Sequence, residues 1–259
     1  FTPTSFHAGT WTTIQWTNNL DLRHEFEVGM ATPLNVAFGF EQRNESYEIG
    51  AGDPASRYKE GSQSYPGFAL TDAGKHKRTN WAIYTDLAVS PITEWKVDAA
   101  LRFEHFSDFG DTTVAKLTSR YDFSDAFALR GTISTGFRAP TLAEAYYSAT
   151  NVSPTSAFVQ LAPNAPATRL LGIDTLKPEK SNNFSLGVVA HPLPKMTATI
   201  DAYRIELRDR IFGSSSVFGT RNNVVTSPQV LAAILANGNV LDPTVTTTGI
   251  NIFSNGLDT

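Results

Sequence analysis

The chain has 259 residues, a formal net charge of −4 and no cysteine. That excludes a disulfide framework, a Cys-based zinc site and a thiol nucleophile, and the mild acidity offers no clustered basic surface for nucleic acid. No stretch approaches the ~18 consecutive apolar residues of a membrane helix, a test that is blind to barrel strands, which expose apolar side chains only at alternate positions. No signal peptide heads the chain, which begins at Phe1 and ends at Thr259 in what reads as an opening strand. Both ends are therefore expected to be cuts in a longer protein.

In chain order, period-two alternation predicts strands at about 6–17, 20–30, 34–48 and 79–89. The loop 49–78 is long and rich in glycine. It mixes rings and cations, and loops on rigid scaffolds tend to hold function, so Arg57, Tyr58, Lys59, Tyr65 and Phe68 are candidate ligand contacts. An exposed loop of ordinary mixed composition is the competing reading. The basic run Lys75, His76, Lys77, Arg78 reads as the end of that loop.

The clearest strand is 95–106. Trp95, Val97, Ala99, Leu101 and Phe103 fall on one face, and Lys96, Asp98, Arg102 and Glu104 on the other. Its length suits a tilted membrane strand of about nine to eleven residues better than a sandwich strand of about six. Further strands over 115–123 and 127–134 put Lys116, Arg120 and Arg130 on the same polar face. The seven residues Lys96, Asp98, Arg102, Glu104, Lys116, Arg120 and Arg130 are expected to line a lumen. His105, Asp108 and Asp111 have a metal-like look, but a Gly-containing hairpin whose Asp residues cap the turn is preferred. No GxSxG elbow, Walker loop, HExxH or dinucleotide fingerprint occurs. Neither an enzyme nor a bound cofactor is expected.

The strand LRGTISTGFRAP ends at a proline that a sheet interior cannot accept. Strands follow at 183–190 and 196–211. In the last, Ile200 and Ala202 oppose Asp201, Tyr203 and Ile205, and the pattern leaves its apolar side open. One helix is predicted beyond it, capped by Ser227, with Pro228 at its first position and Asn237–Gly238 at its end. Tight turns at 31–33, 90–93, 124–126 and 191–195 alternate with longer connections at 49–78, 105–112, 138–182 and 213–249. That is the rhythm of outer-membrane barrels. A passive porin and a soluble carbohydrate-binding β-sandwich are the alternatives, since sandwiches also cluster loops at one end.

Two motifs sharpen the reading: GFRAPTLAEAYY at Gly136 to Tyr147 and LKPEKS at Leu176 to Ser181. With their flanks, LRGTISTGFRAPTLAEAYY and LKPEKSNNFSLG, they resemble the barrel of TonB-dependent outer-membrane receptors of Gram-negative bacteria. The resemblance implies an antiparallel up-and-down transmembrane β-barrel to which all of residues 1–259 belong. About nine strands plus part of a tenth cannot close a family barrel of 22. The plug domain, the TonB box and the final strands would lie outside this chain.

It also implies uptake of a scarce ligand of the iron-siderophore, cobalamin or oligosaccharide type, with energy transmitted by TonB. The implied partners are the TonB complex, reached through plug and box, the outer-membrane lipid, and the ligand itself. Haem is weakened, because no histidine lies between Arg138 and Lys177 and IDTLKPE stands where haem receptors carry NPNL. Arg138 either grips an anionic ligand or anchors a loop through Glu144 or Glu179, and the anchor is preferred. Tyr146 and Tyr147 either face a ligand or join the interfacial aromatic belt. The lumen residues are expected to pair with one another or with the plug.

Overall fold

The computed structural model describes residues 4–57 and 67–256, so Tyr58, Lys59 and Tyr65 lie outside the described residues. The chain opens with six strands: β1 (Gly9–Phe26), β2 (Leu34–Ala51), β3 (Gly74–Ile92), β4 (Trp95–Phe106), β5 (Gly110–Ser124) and β6 (Phe127–Arg138). Strand β6 stops short of Pro140, which has no N–H for a ladder. Thr141 then starts the one-turn helix α1 (Leu142–Tyr146) through a capping box with Glu144. Next come β7 (Ala149–Val152), β8 (Ser156–Leu161) and a 3-10 helix (Pro166–Leu171), after which β9 (Glu179–Ala190) and β10 (Ala198–Arg208) follow. The remainder forms β11 (Arg210–Gly213), β12 (Val217–Arg221), β13 (Val224–Val225), α2 (Pro228–Ala236) and β14 (Thr247–Gly256).

Eight strands build an antiparallel wall in the order β1-β2-β3-β4-β5-β6-β9-β10. The sequence predicts nine, with 6–17 and 20–30 as separate strands. Instead, one strand of 18 residues runs in unbroken register from Gly9↔Ala51 to Phe26↔Leu34. The poor strand-former Asn18 is tolerated there because its side chain takes a bond from the Trp16 indole and gives one to Gln42. The basic run at 75–78 is likewise inside β3, not at a loop end, since its cations find carboxylates on β2: Lys75 meets Glu48 and Arg78 meets Glu45. Connections 27–33, 93–94, 125–126 and 191–197 share one end of the wall, and the long ones open from the other, where β4 and β5 are nevertheless joined by the tight hairpin turn 107–109 rather than a longer loop.

Alternate residues define two faces. Leu142 of α1 packs on Tyr47 and Ile49 of β2, and we term that side the inner face. The outer face leaves Trp16, Leu22, Phe38, Ile83, Leu101, Leu117, Ile133 and Leu186 exposed. Strand β10, ambiguous in sequence, is settled by its register. Asp201 lies level with Gly187 and Arg130 on the inner face, so Ile200 and Ala202 point outward.

A single sheet was the expectation; a second is present, formed by the long connections together with the strand at the end of the chain, which was expected as part of a tenth wall strand but pairs with β8, β11 and β12 instead of β10. This second sheet runs β13-β12-β14-β8-β7, with β11 also paired to β14, and β8 and β14 lie parallel. Asp209, in the left-handed region at φ 53°, breaks the strand between β10 and β11 and turns the chain from wall to lid. The lid has its own core: Val159, Leu161, Val230, Ala233, Ile234, Ile250 and Ile252. Ser227 caps α2 through the Val230 N–H and Asn237 ends it, as the sequence predicts.

Candidate ligand vestibule and polar inner face

Where FRAP meets LKPE, Arg138 sits at the end of β6 opposite Glu179, the first residue of β9. Its guanidinium donates to both oxygens of Glu179 (2.7 and 2.9 Å) and to Glu144 on α1 (3.0 Å). Glu179 also accepts from the Ile211 N–H, and Asn255 clasps Lys177 through both its N–H and its carbonyl. The two motifs thus join β6, α1, β9, β11 and β14 at one point. Burial alone would push the Glu144 carboxyl up, but hydrogen bonds from Arg138 and from Thr141 backbone and hydroxyl outweigh it and hold its pKa below the ordinary value.

Beside this junction lies Arg78, with its side chain 5% exposed. It donates to Glu45 and to the carbonyl of Pro140, and stands 3.6 Å from Asp108. A buried guanidinium needs such partners, because desolvating it alone costs several kcal/mol. Asp108, which the sequence groups with His105, therefore turns away from it; His105 pairs with Asp111 at 2.6 Å. Among the described residues no group of His, Asp or Glu could hold a metal ion.

At the long-loop end of the inner face, aromatic rings gather. Tyr147 contacts Trp11 (6.1 Å between centroids) and Phe68 (6.3 Å), and Trp11 reaches Tyr47. Tyr146 stacks on His76 at 3.7 Å. Tyr146 and Tyr147 therefore belong to this vestibule rather than to an outward belt. Arg57, by contrast, donates to the Gly52 carbonyl and lines a separate cavity of about 170 Å³ between its loop and the lid. Asp72 ties loop to lid by accepting from the Ser148 hydroxyl at 2.6 Å, and its burial pushes its pKa up.

Below the vestibule, Lys96, Asp98, Arg102, Glu104, Lys116, Arg120 and Arg130 share the inner face by strand register. They are paired within the wall: Arg102 with Glu104 and Glu41, Lys116 with Asp98, Arg120 and Lys96 with Asp122, Arg130 with Asp201. Two bonds pass over glycines. Tyr84 reaches across Gly39 to Asp21, and Arg130 reaches across Gly187 to Asp201; in each case a Cβ would fall on the crossing side chain. Sequence reasoning missed Asp21, Tyr84 and Asp201, and likewise Trp11, Tyr47, His76 and Arg78. Only register shows which glycine lies between which polar partners.

A single-layer antiparallel wall, apolar and exposed outside, polar and ion-paired inside, with short turns at one end and a folded lid at the other, is a transmembrane β-barrel wall. The chain belongs to the family described as TonB dependent receptor-like, beta-barrel, whose model matches residues 1–257. It is accordingly an outer-membrane protein of Gram-negative type.

Among solved structures it is similar to the siderophore receptor PirA from Pseudomonas aeruginosa (TM-score 0.63, 15% identity, 96% of this chain and 38% of that one). A mutant of the ferric enterobactin receptor PfeA from the same organism matches with TM-score 0.64, 16% identity, 96% of this chain and 32% of that one. PirA from Acinetobacter baumannii matches with TM-score 0.56, 18% identity, 96% and 33%. The chain thus spans about a third of the length of these structures. No curated protein matches it in sequence.

Proposed function

We propose that the chain is wall and lid of an energised outer-membrane receptor for a scarce ligand, with an iron–siderophore complex ahead of cobalamin or an oligosaccharide. On this reading residues 1–259 all belong to the barrel domain, while plug, TonB box and closing strands lie elsewhere in the protein. The observation that carries it is the vestibule. Trp11, Phe68, His76, Tyr146 and Tyr147 line the inner face beneath a lid with its own core, an arrangement suited to gripping a bulky ligand. A passive pore has no need of a folded lid over its mouth. The ligand class draws on the neighbours, among them PfeA solved in complex with enterobactin.

The test is uptake by the full-length protein in cells stripped of their own siderophore receptors. Radioiron supplied as a catecholate siderophore complex should accumulate only when TonB is present and the inner membrane is energised. Removing most of 52–73 should lower ligand binding at least tenfold while the barrel still inserts. Accumulation that persists without TonB and without the proton gradient would put the passive pore first.

A further inference from the structure

On the outer face of β9 and β10, three cations stand against one carboxylate. The inner placement of Gly187 and Asp201 sends Lys180, Arg204 and Arg208 outward, and Lys180 and Arg208 are direct cross-strand partners. Glu206 lies between the arginines, 2.6 Å from Arg204 and 4.0 Å from Arg208. Lys180 has no ion-pair partner among the described residues. On the adjoining strand the outward residue opposite Lys180 is Phe137, and the one opposite Asn182 is Thr135, so the basic patch is local.

Its height is informative. Ala190, opposite Phe127, marks the tight-turn end, and Lys180 lies ten residues further along β9. At about 3.3 Å per residue and a tilt of about 40°, that rise is roughly 25 Å along the membrane normal, the height of the apolar band of such barrels. Up to the level of Leu186 the outward residues between the two are apolar (Val188, Leu186, Ile200 and Ala202), and above them Phe184 stands beside Arg204 and Asn182 beside Glu206. Lys180 and Arg208 thus lie where the hydrocarbon ends on the long-loop side, which is the external leaflet. Arg204, level with Phe184, extends toward Glu206 and so carries its charge upward, as long basic side chains do at a membrane edge.

We propose that Lys180 and Arg208, with Arg204 alongside, bind the phosphate of a phosphorylated lipid of the external leaflet. A phosphate tethered to acyl chains meets the cations at this height while its chains lie on Phe184, Leu186 and Ile200. A guanidinium matches phosphate oxygens in a fork, and the ammonium adds a point charge. This site rests on the membrane placement of the wall and not on the uptake reading, and its assay needs no transport.

The test is native mass spectrometry of the full-length protein in detergent, titrated separately with bis-phosphorylated lipid A, its dephosphorylated form and inorganic phosphate. Wild type should retain the phosphorylated lipid at least tenfold better than the dephosphorylated one, and inorganic phosphate should compete only weakly. The double variant Lys180→Gln with Arg208→Gln should lose that preference. Equal retention of both lipids by wild type overturns the proposal whether or not the variant folds. Undiminished preference in a folded double variant overturns it too, and competition by inorganic phosphate at lipid concentrations would make the site one for free anions.

Discussion

Arg138 joins a wall strand, a helix and the returning strand through one guanidinium, so its loss should be felt in the lid before the wall. It is partly exposed, which screens the pairs, and Arg138→Ala is expected to cost about 1–2 kcal/mol. Faster hydrogen exchange at 141–147, with β4 to β6 unchanged, is the expected readout. Its partner Glu144 supplies a pH dependence. A pKa lower in the folded than in the unfolded chain means that folding favours the carboxylate. The stabilisation is complete above the unfolded value of 4.5 and is lost as pH falls through the lower folded value. Exchange at α1 should therefore accelerate below pH 4.5, and Glu144→Gln should abolish that dependence.

Gly187 makes a second residue-scale case. A methyl there would land on the Asp201 carboxylate, the movable end of a side chain, so Gly187→Ala should break the Arg130 pair without unfolding the strand. The expected loss is about 1–2 kcal/mol, read by chemical denaturation in detergent, and Asp201→Asn should remove most of the difference between Gly and Ala.

At the scale of elements, the two large connections are one folding unit. Strand β8 from the first pairs in parallel with β14 from the second, and Val159 and Leu161 share a core with Val230, Ile234 and Ile250. Ile234 is 1% exposed, so Ile234→Ala should destabilise the lid by about 2–5 kcal/mol. Limited proteolysis should then cut within 149–161 as well as near α2, while the wall resists. Cleavage confined to the mutated connection would show that the two fold independently. Deleting either connection alone should disturb the other, so neither can be probed by a single-loop deletion.

For the whole molecule, the outer face and the two free edges decide behaviour in water. Among the described residues β1 pairs only with β2 and β10 only with β9, and large apolar side chains cover the outer face between them. Residues 1–259 expressed alone should therefore aggregate or require detergent, because unpaired N–H and C=O groups and bare apolar surface seek partners. Analytical ultracentrifugation without detergent is the check: a stable monomer with a cooperative melt would contradict the wall reading.

Period-two alternation carried much of this protein by itself. The faces of β4, β5 and β6 were legible because a strand with one polar and one apolar side sorts its residues two by two. The stop at Pro140 and both ends of α2 were legible because proline and caps act locally. Tertiary structure decided what depends on partners far along the chain. It merged the first two predicted strands by pairing Asn18 with Gln42, and it drew the cations of 75–78 into β3 by setting carboxylates opposite them. It also folded the long connections into a lid, and it placed Gly39 and Gly187 under their crossing bonds. A lone sequence names the residues and their local turns, whereas register, fixed only when strands pair, determines which of them meet.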